Sequence, residues 1–159
     1  MKKFIAFIFL TILVISTSGC SSNQDKSELP NINASAASDN SYENDINGLK
    51  KYLVDTGCIT GEPIQMSFAI VGAKDGYRYN FDSITVELYE FDTGNLNSTA
   101  SNIVSSIKES GTFKMLDKDV EAYLSNNEKF MLIYTDITNT EQRQERKSQV
   151  IEIFKNFNS

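Results

Sequence analysis

Residues 84–91, ITVELYEF, decide the fold. β-Branched and aromatic side chains dominate them, and such side chains suit a pleated, half-buried backbone. Alternation divides the stretch into two faces, Ile84/Val86/Leu88/Glu90 and Thr85/Glu87/Tyr89/Phe91, each with apolar members. Just downstream, Leu96, Ala100, Ile103, Val104 and Ile107 share one helical stripe that stops at Gly111. A second strand-then-helix unit follows. Residues 129–135, KFMLIYT, are apolar on both faces, as a central strand is. Thr138-Asn139-Thr140-Glu141 has capping-box spacing, and the helix it opens is polar through Lys147. That polar half is expected to project into solvent, and Val150, Ile151, Phe154 and Phe157 to pack on the sheet. The fold expected is α+β, an antiparallel sheet of about four strands with amphipathic helices mainly on one face.

The rest of the chain attaches to this frame. Residues 77–81 read as a short strand. Tyr42, Ile46, Leu49 and Leu53 recur at helical spacing, which predicts a helix over 42–56 capped by Ser41 and ended by Gly57. Residues 62–73 read two ways. Ile64, Met66, Phe68 and Ile70 alternate as in a strand, but Pro63 suits a first helical position and Gly76 a helix end, and the helix is preferred. Residues 112–116 and 120–124 flank the polar turn Asp117-Lys118-Asp119, as a hairpin or one bent strand.

Residues 1–22, MKKFIAFIFLTILVISTSGCSS, carry a different message. Lys2 and Lys3 precede an apolar run over 4–15, broken only by Thr11. A bilayer core needs about 20 apolar residues, so the run matches the middle of an export signal rather than a membrane span. Thr17-Ser18-Gly19-Cys20 resembles the lipobox of bacterial lipoproteins, with Thr17 where an aliphatic residue is usual. The resemblance implies cleavage before Cys20 and a diacylglycerol on that cysteine, two chains being what stable anchoring needs. Residues 1–19 are then a signal peptide, 20–41 the acylated cysteine and a disordered tether, and 42–159 one α+β domain. The tether, rich in Ser, Asn, Asp and Ala, has a reach of about 25 Å as a flexible coil. Gly61-Glu62-Pro63, Gly72-Ala73-Lys74-Asp75-Gly76-Tyr77-Arg78-Tyr79 and Val86-Glu87-Leu88-Tyr89-Glu90-Phe91-Asp92 also resemble small lipoproteins of low-GC Gram-positive bacteria. No activity comes with that resemblance. The expected address is the extracytoplasmic face of the cell membrane, with the bilayer, through acylated Cys20, as first partner.

Composition removes several functions. The 159-residue chain has 15 Lys and Arg against 21 Asp and Glu. Without Lys2 and Lys3 the side-chain charge is 13 − 21 = −8, which argues against nucleic acid and against adhesion to anionic lipid by charge. There is no histidine, so Ser-His-Asp and Cys-His catalysis and His-ligated zinc are excluded. With Cys20 acylated, Cys58 is a lone thiol beside Ile59 and reads as a small buried hydrophobe.

Candidate chemistry is sparse. Glu87, Glu90 and Asp92 offer paired carboxylates for glycoside cleavage, but alternation turns Glu87 and Glu90 to opposite faces and solvated edge charges are the simpler reading. Asp117, Asp119 and Glu121 alternate like calcium ligands without the glycine or the ligand number a calcium loop uses. Gln142, Arg143, Arg146 and Lys147 read as a solvated helix face. No metal or cofactor is expected. Tyr77, Arg78, Tyr79, Tyr89, Phe91 and Tyr134 form a candidate binding face if one side of the sheet lies open. The expectation is a non-enzymatic module that binds an envelope protein or peptide. A small envelope hydrolase or carbohydrate-acting protein using carboxylates is the alternative.

Overall fold

The computed structural model describes residues 29–36 and 41–158; residues 1–28, with Cys20, and 37–40 lie outside them. In chain order the elements are α1 (Ile46–Asp55), β1 (Ile64–Gln65), β2 (Asp75–Phe81), β3 (Ile84–Glu90), α2 (Ser98–Ser110), β4 (Thr112–Met115), β5 (Lys118–Glu121), β6 (Tyr123–Leu124), β7 (Phe130–Asp136) and α3 (Glu141–Lys155). Five strands pair in the order β1-β2-β3-β7-β6, every pairing antiparallel, and β4 and β5 form a separate hairpin. The α+β expectation is met, with one strand more in the sheet. β3 lies inside it, in register with β2 from Asp75↔Glu90 to Phe81↔Ile84 and with β7 from Ile84↔Asp136 to Glu90↔Phe130.

Each face of β3 buries a separate core. Ile84, Val86 and Leu88 join Tyr79, Leu132 and Tyr134 under α1 and α3. Tyr89, Met131 and Ile133 pack under α2 and the β4–β5 hairpin. Two of the three helices therefore share a face, but the other face is not open. The two strand–helix units explain why: β3 and β7 are antiparallel neighbours, and α2 leaves one end for one face while α3 leaves the other end for the opposite face. Among the described residues no helix is long and apolar enough to cross a membrane.

The helices begin where their caps dictate. α1 starts at Ile46 rather than Tyr42, because the Asp45 carboxylate accepts the Gly48 N–H at 2.8 Å. Tyr42 stays outside and packs edge-on against Tyr52. Gly57, at φ +73°, follows the helix end as expected. α3 is capped by Thr140, which accepts from Arg143 N–H, so the capping-box reading was two residues early.

Three expectations need correction. Residues 62–73 do not form a helix. Ile64 and Gln65 pair with Arg78 and Tyr77 as an edge strand, and Phe68–Val71 makes a single 3-10 turn. Pro63 thus precedes an edge strand, where a missing donor is tolerated. Gly72 stops the turn at φ +71°, and a Cβ there would lie 2.4 Å from Asn97 Oδ1. That closeness is used: Asn97 Nδ2 donates to the Gly72 carbonyl at 2.8 Å while its Oδ1 caps α2 through Ala100 N–H. The β4–β5 turn is Leu116-Asp117, both at positive φ, one step before the turn expected. Finally, the tether expected over 20–41 is not unstructured chain at 29–36. Leu29 and Ile32 pack against the α1/α3 core, Asn33 N–H donates to the Thr56 carbonyl at 2.9 Å, and Ala34–Ala36 turns as a 3-10 helix.

Candidate functional site

The six residues of the expected binding face are split by the sheet. Tyr79 and Tyr134 are buried in one core, Tyr89 and Phe91 in the other. Only Tyr77 and Arg78 reach the surface, on opposite faces of β2. Lys50 Nζ lies 3.4 Å from the centre of the Tyr77 ring and occupies its face. The closed sheet is what removes this site: side chains that alternate on an interior strand covered on both sides have no surface to present.

Burial has a measurable consequence for these tyrosines. Desolvation, with the Glu62 charge adding to it, pushes the Tyr79 hydroxyl from an ordinary value of 10.0 up to about 12. Tyr89 and Tyr134 are raised by burial as well. A proton held more tightly in the fold contributes stability that is complete below the unfolded value and lost as pH rises through the folded one. For Tyr79 that is roughly 2–3 kcal/mol. Alkaline unfolding is expected between pH 10 and about 12, with tyrosinate absorbance rising in step with loss of far-ultraviolet circular dichroism. Titration of every tyrosine in an intact fold would contradict this.

The carboxylates are engaged elsewhere. Glu87 and Glu90 do point to opposite faces, but neither is a solvated edge charge, since β3 is interior and both are buried. Glu87 Oε1 accepts from Arg78 Nε at 3.0 Å and Nη2 at 2.6 Å, and its Oε2 accepts the Tyr89 hydroxyl at 2.9 Å. The Arg78 fork is therefore directed at Glu87. Glu90 accepts from Ile46 N–H at 3.1 Å and Lys74 Nζ at 3.1 Å, with Lys129 Nζ at 3.4 Å. Asp119 pairs with Lys114, while Glu121 pairs with Lys147 Nζ and accepts the Tyr123 hydroxyl, each at 2.5 Å. Those two bonds, Lys147 first, hold the Glu121 carboxyl below its usual range. Among the described residues no group of three or more His, Cys, Asp or Glu is placed to hold a metal ion.

A cleft of about 760 Å³ opens where residues 29–32 cross α3. Its polar wall comes from Asp82, Glu145, Arg143 and Arg146. Arg143 pairs with Asp82 and with Asp136 at 3.4 Å, and its hydrogen bond, first among the causes, lowers the Asp82 carboxyl. Arg146 is buried and donates to three backbone carbonyls: Nη1 to Pro30 at 2.7 Å, Nη2 to Gly57 at 2.8 Å and to Cys58 at 3.2 Å. Of the solvated helix face expected at Gln142, Arg143, Arg146 and Lys147, Gln142 is exposed as expected, whereas Arg143, Arg146 and Lys147 are anchors to other segments. Arg146 thereby ties the incoming chain at Pro30 to α3. Cys58, in the same neighbourhood, is the buried small residue expected; its thiol accepts the Thr56 hydroxyl at 3.3 Å, and burial pushes its pKa up.

Exposed large apolar side chains stand singly at Val54, Leu96, Leu116 and Ile137, and two fall within the sheet margin over 61–70. Ile64 and Ile70 are 54% and 53% exposed beside half-buried Met66 and Phe68. No family model, curated protein or solved structure matches the chain.

Proposed function

We propose that this chain is a lipid-anchored domain of the extracytoplasmic membrane face that acts by binding a protein or peptide, without chemistry of its own. The anchor rests on residues 1–22, whose positive start, short apolar run and Gly19-Cys20 ending fit a lipoprotein signal. The binding role rests on one observation, the exposed apolar margin over 61–70. Two isoleucines more than half exposed, Ile64 on the edge strand and Ile70 in the 3-10 turn that follows it, are apolar surface that association would cover. β1 is two residues long and follows Pro63, features that blunt a sheet edge against strand addition. The partner is therefore expected to seat on side chains.

The test joins both halves. Full-length protein expressed in a lipoprotein-processing bacterium should sediment with membranes, and the Cys20→Ala variant should be released. A photo-crosslinking residue at position 64 or 70 should capture one partner in near-stoichiometric yield. Ile64→Asp with Ile70→Asp should reduce capture by tenfold or more at unchanged thermal stability, since both side chains already face water. Membrane retention of Cys20→Ala removes the anchor. Capture indifferent to the isoleucine changes removes the binding margin.

A further inference from the structure

The docking of residues 29–32 gives the domain a direction relative to its anchor. Leu29 and Pro30 lie in the cleft beside Asp82 and Arg143. Asp82 belongs to the β2–β3 turn, and Arg143 pairs with Asp136 at the last residue of β7. The chain from the N-terminus thus reaches the domain at the Asp82/Asp136 end of the sheet. From Cys20 to Leu29 there are 29 − 20 = 9 residue steps, and such a span reaches at most ~30 Å when fully extended. The opposite end, beyond Glu90, is farther by the length of β3, about 20 Å.

One large apolar side chain stands at the near end. Ile137 follows β7, donates its N–H to the Ser83 carbonyl at 3.4 Å, and is 84% exposed. At the far end, residues 92–99 are all exposed and mostly polar, DTGNLNST. Charge does not recommend the near end to an anionic surface, because Asp82 and Asp136 flank Arg143 there.

The geometry points to the Asp82/Ile137 end as the face that rests on the lipid bilayer, with Ile137 entering the headgroup region. This rests on the lipid-anchor reading above. Residues 29–32, fixed by Arg146, hold that end toward the anchor, and Ile137 supplies an apolar contact that needs no charge attraction. Contact is therefore expected to be insensitive to salt.

The experiment uses the acylated full-length protein in phosphatidylcholine vesicles, with and without phosphatidylglycerol. An environment-sensitive fluorophore is attached in Ile137→Cys, and in Asn95→Cys as the far-end control; Cys58 is buried and does not compete. Nitroxide on the lipid headgroup should quench the 137 label at least threefold more than the 95 label, equally in low and high salt and with both lipids. Equal quenching at the two positions, with the protein still floating with the vesicles, overturns the orientation and leaves the anchor standing. Protein that does not float, or that mass spectrometry finds without acyl chains, overturns the anchor and the orientation with it.

Discussion

Replacing Arg146 by alanine is expected to destabilise the domain by about 2–4 kcal/mol and to unseat residues 29–36 before anything else moves. The side chain sits where α3, the end of α1 and the incoming chain meet, and its guanidinium bonds the Pro30, Gly57 and Cys58 carbonyls. Truncation leaves buried acceptors unpaired and removes the volume that separates α3 from residues 57–58. Hydrogen bonds to a charged group are the stronger class, about 1.5–3 kcal/mol each, but three on one side chain do not add. Arg146→Lys should recover little, since one ammonium cannot reproduce a planar fork spread over two chain segments. Tyr134→Phe is the control. Its hydroxyl is buried beside the Arg146 guanidinium and interacts with it only weakly, without a well-formed hydrogen bond, so its loss should cost under about 1 kcal/mol. Urea melts give the global figure. Hydrogen exchange at Asn33 N–H, bonded to Thr56 O, gives the local one, and faster exchange there is the signature of an unseated segment. Unchanged exchange at Asn33 with a lowered melting midpoint would show that Arg146 supports only the helices.

Arg146 also shows which parts of the fold were legible. α2 and the end of α3 could be read because their apolar residues repeat at 3.6, and β3 and β7 because short runs that are β-branched, aromatic and apolar on both faces suit an interior strand. The same period carries the α3 stripe upward: Val150 is preceded on its face by Arg146 and then Arg143, at steps of four and three. Reading polarity instead of position sent both arginines to solvent. A buried arginine that serves backbone carbonyls has no signature in side-chain pairs, because its partners are peptide groups that every residue carries. Leu29-Pro30 and Ile32 were the hint in the tether, three nonpolar residues in a polar stretch, but only a groove between α1 and α3 makes them worth burying. The candidate face failed for a related reason. Alternation put Tyr89 and Phe91 on one side of β3, but it showed neither that Tyr79 and Tyr134 lie on the other side nor that α2 would cross to cover the second. Residues 62–73 were misread because helix and strand periods both fit, and pairing with β2 decided the matter from outside the segment.

Glu90→Ala should be the most damaging single change to a charged residue in the sheet, about 3–5 kcal/mol. The carboxylate is only 2% exposed and joins four parts of the chain. Its Oε2 accepts from Ile46 N–H, the first residue of α1, where a negative charge also meets the positive end of the helix dipole. Its Oε1 faces Lys74 and Lys129, while its own backbone carbonyl accepts from Lys74 N–H at 2.7 Å. Removing it leaves the Ile46 donor unpaired and takes away the carboxylate that the Lys74 and Lys129 ammonium groups share. The lysines are unequal. Lys74 is well exposed, with 60% of its side chain accessible, and its replacement should cost under about 1 kcal/mol. Lys129 is more enclosed and also donates to the Asn44 carbonyl, so its loss should be felt more. Glu90→Gln keeps an acceptor for Ile46 but not the charge, and should fall between, about 1–3 kcal/mol. Because the Glu90 carboxylate and its bond to Ile46 N–H are shielded from solvent, the Glu90→Ala deficit should persist in high salt, where exposed pairs such as Lys51–Asp55 lose their effect. Urea denaturation at two ionic strengths separates the cases. A deficit below about 1 kcal/mol, or one that salt abolishes, would mean that α1 is held by its apolar face alone and that Glu90 is a passenger in the sheet.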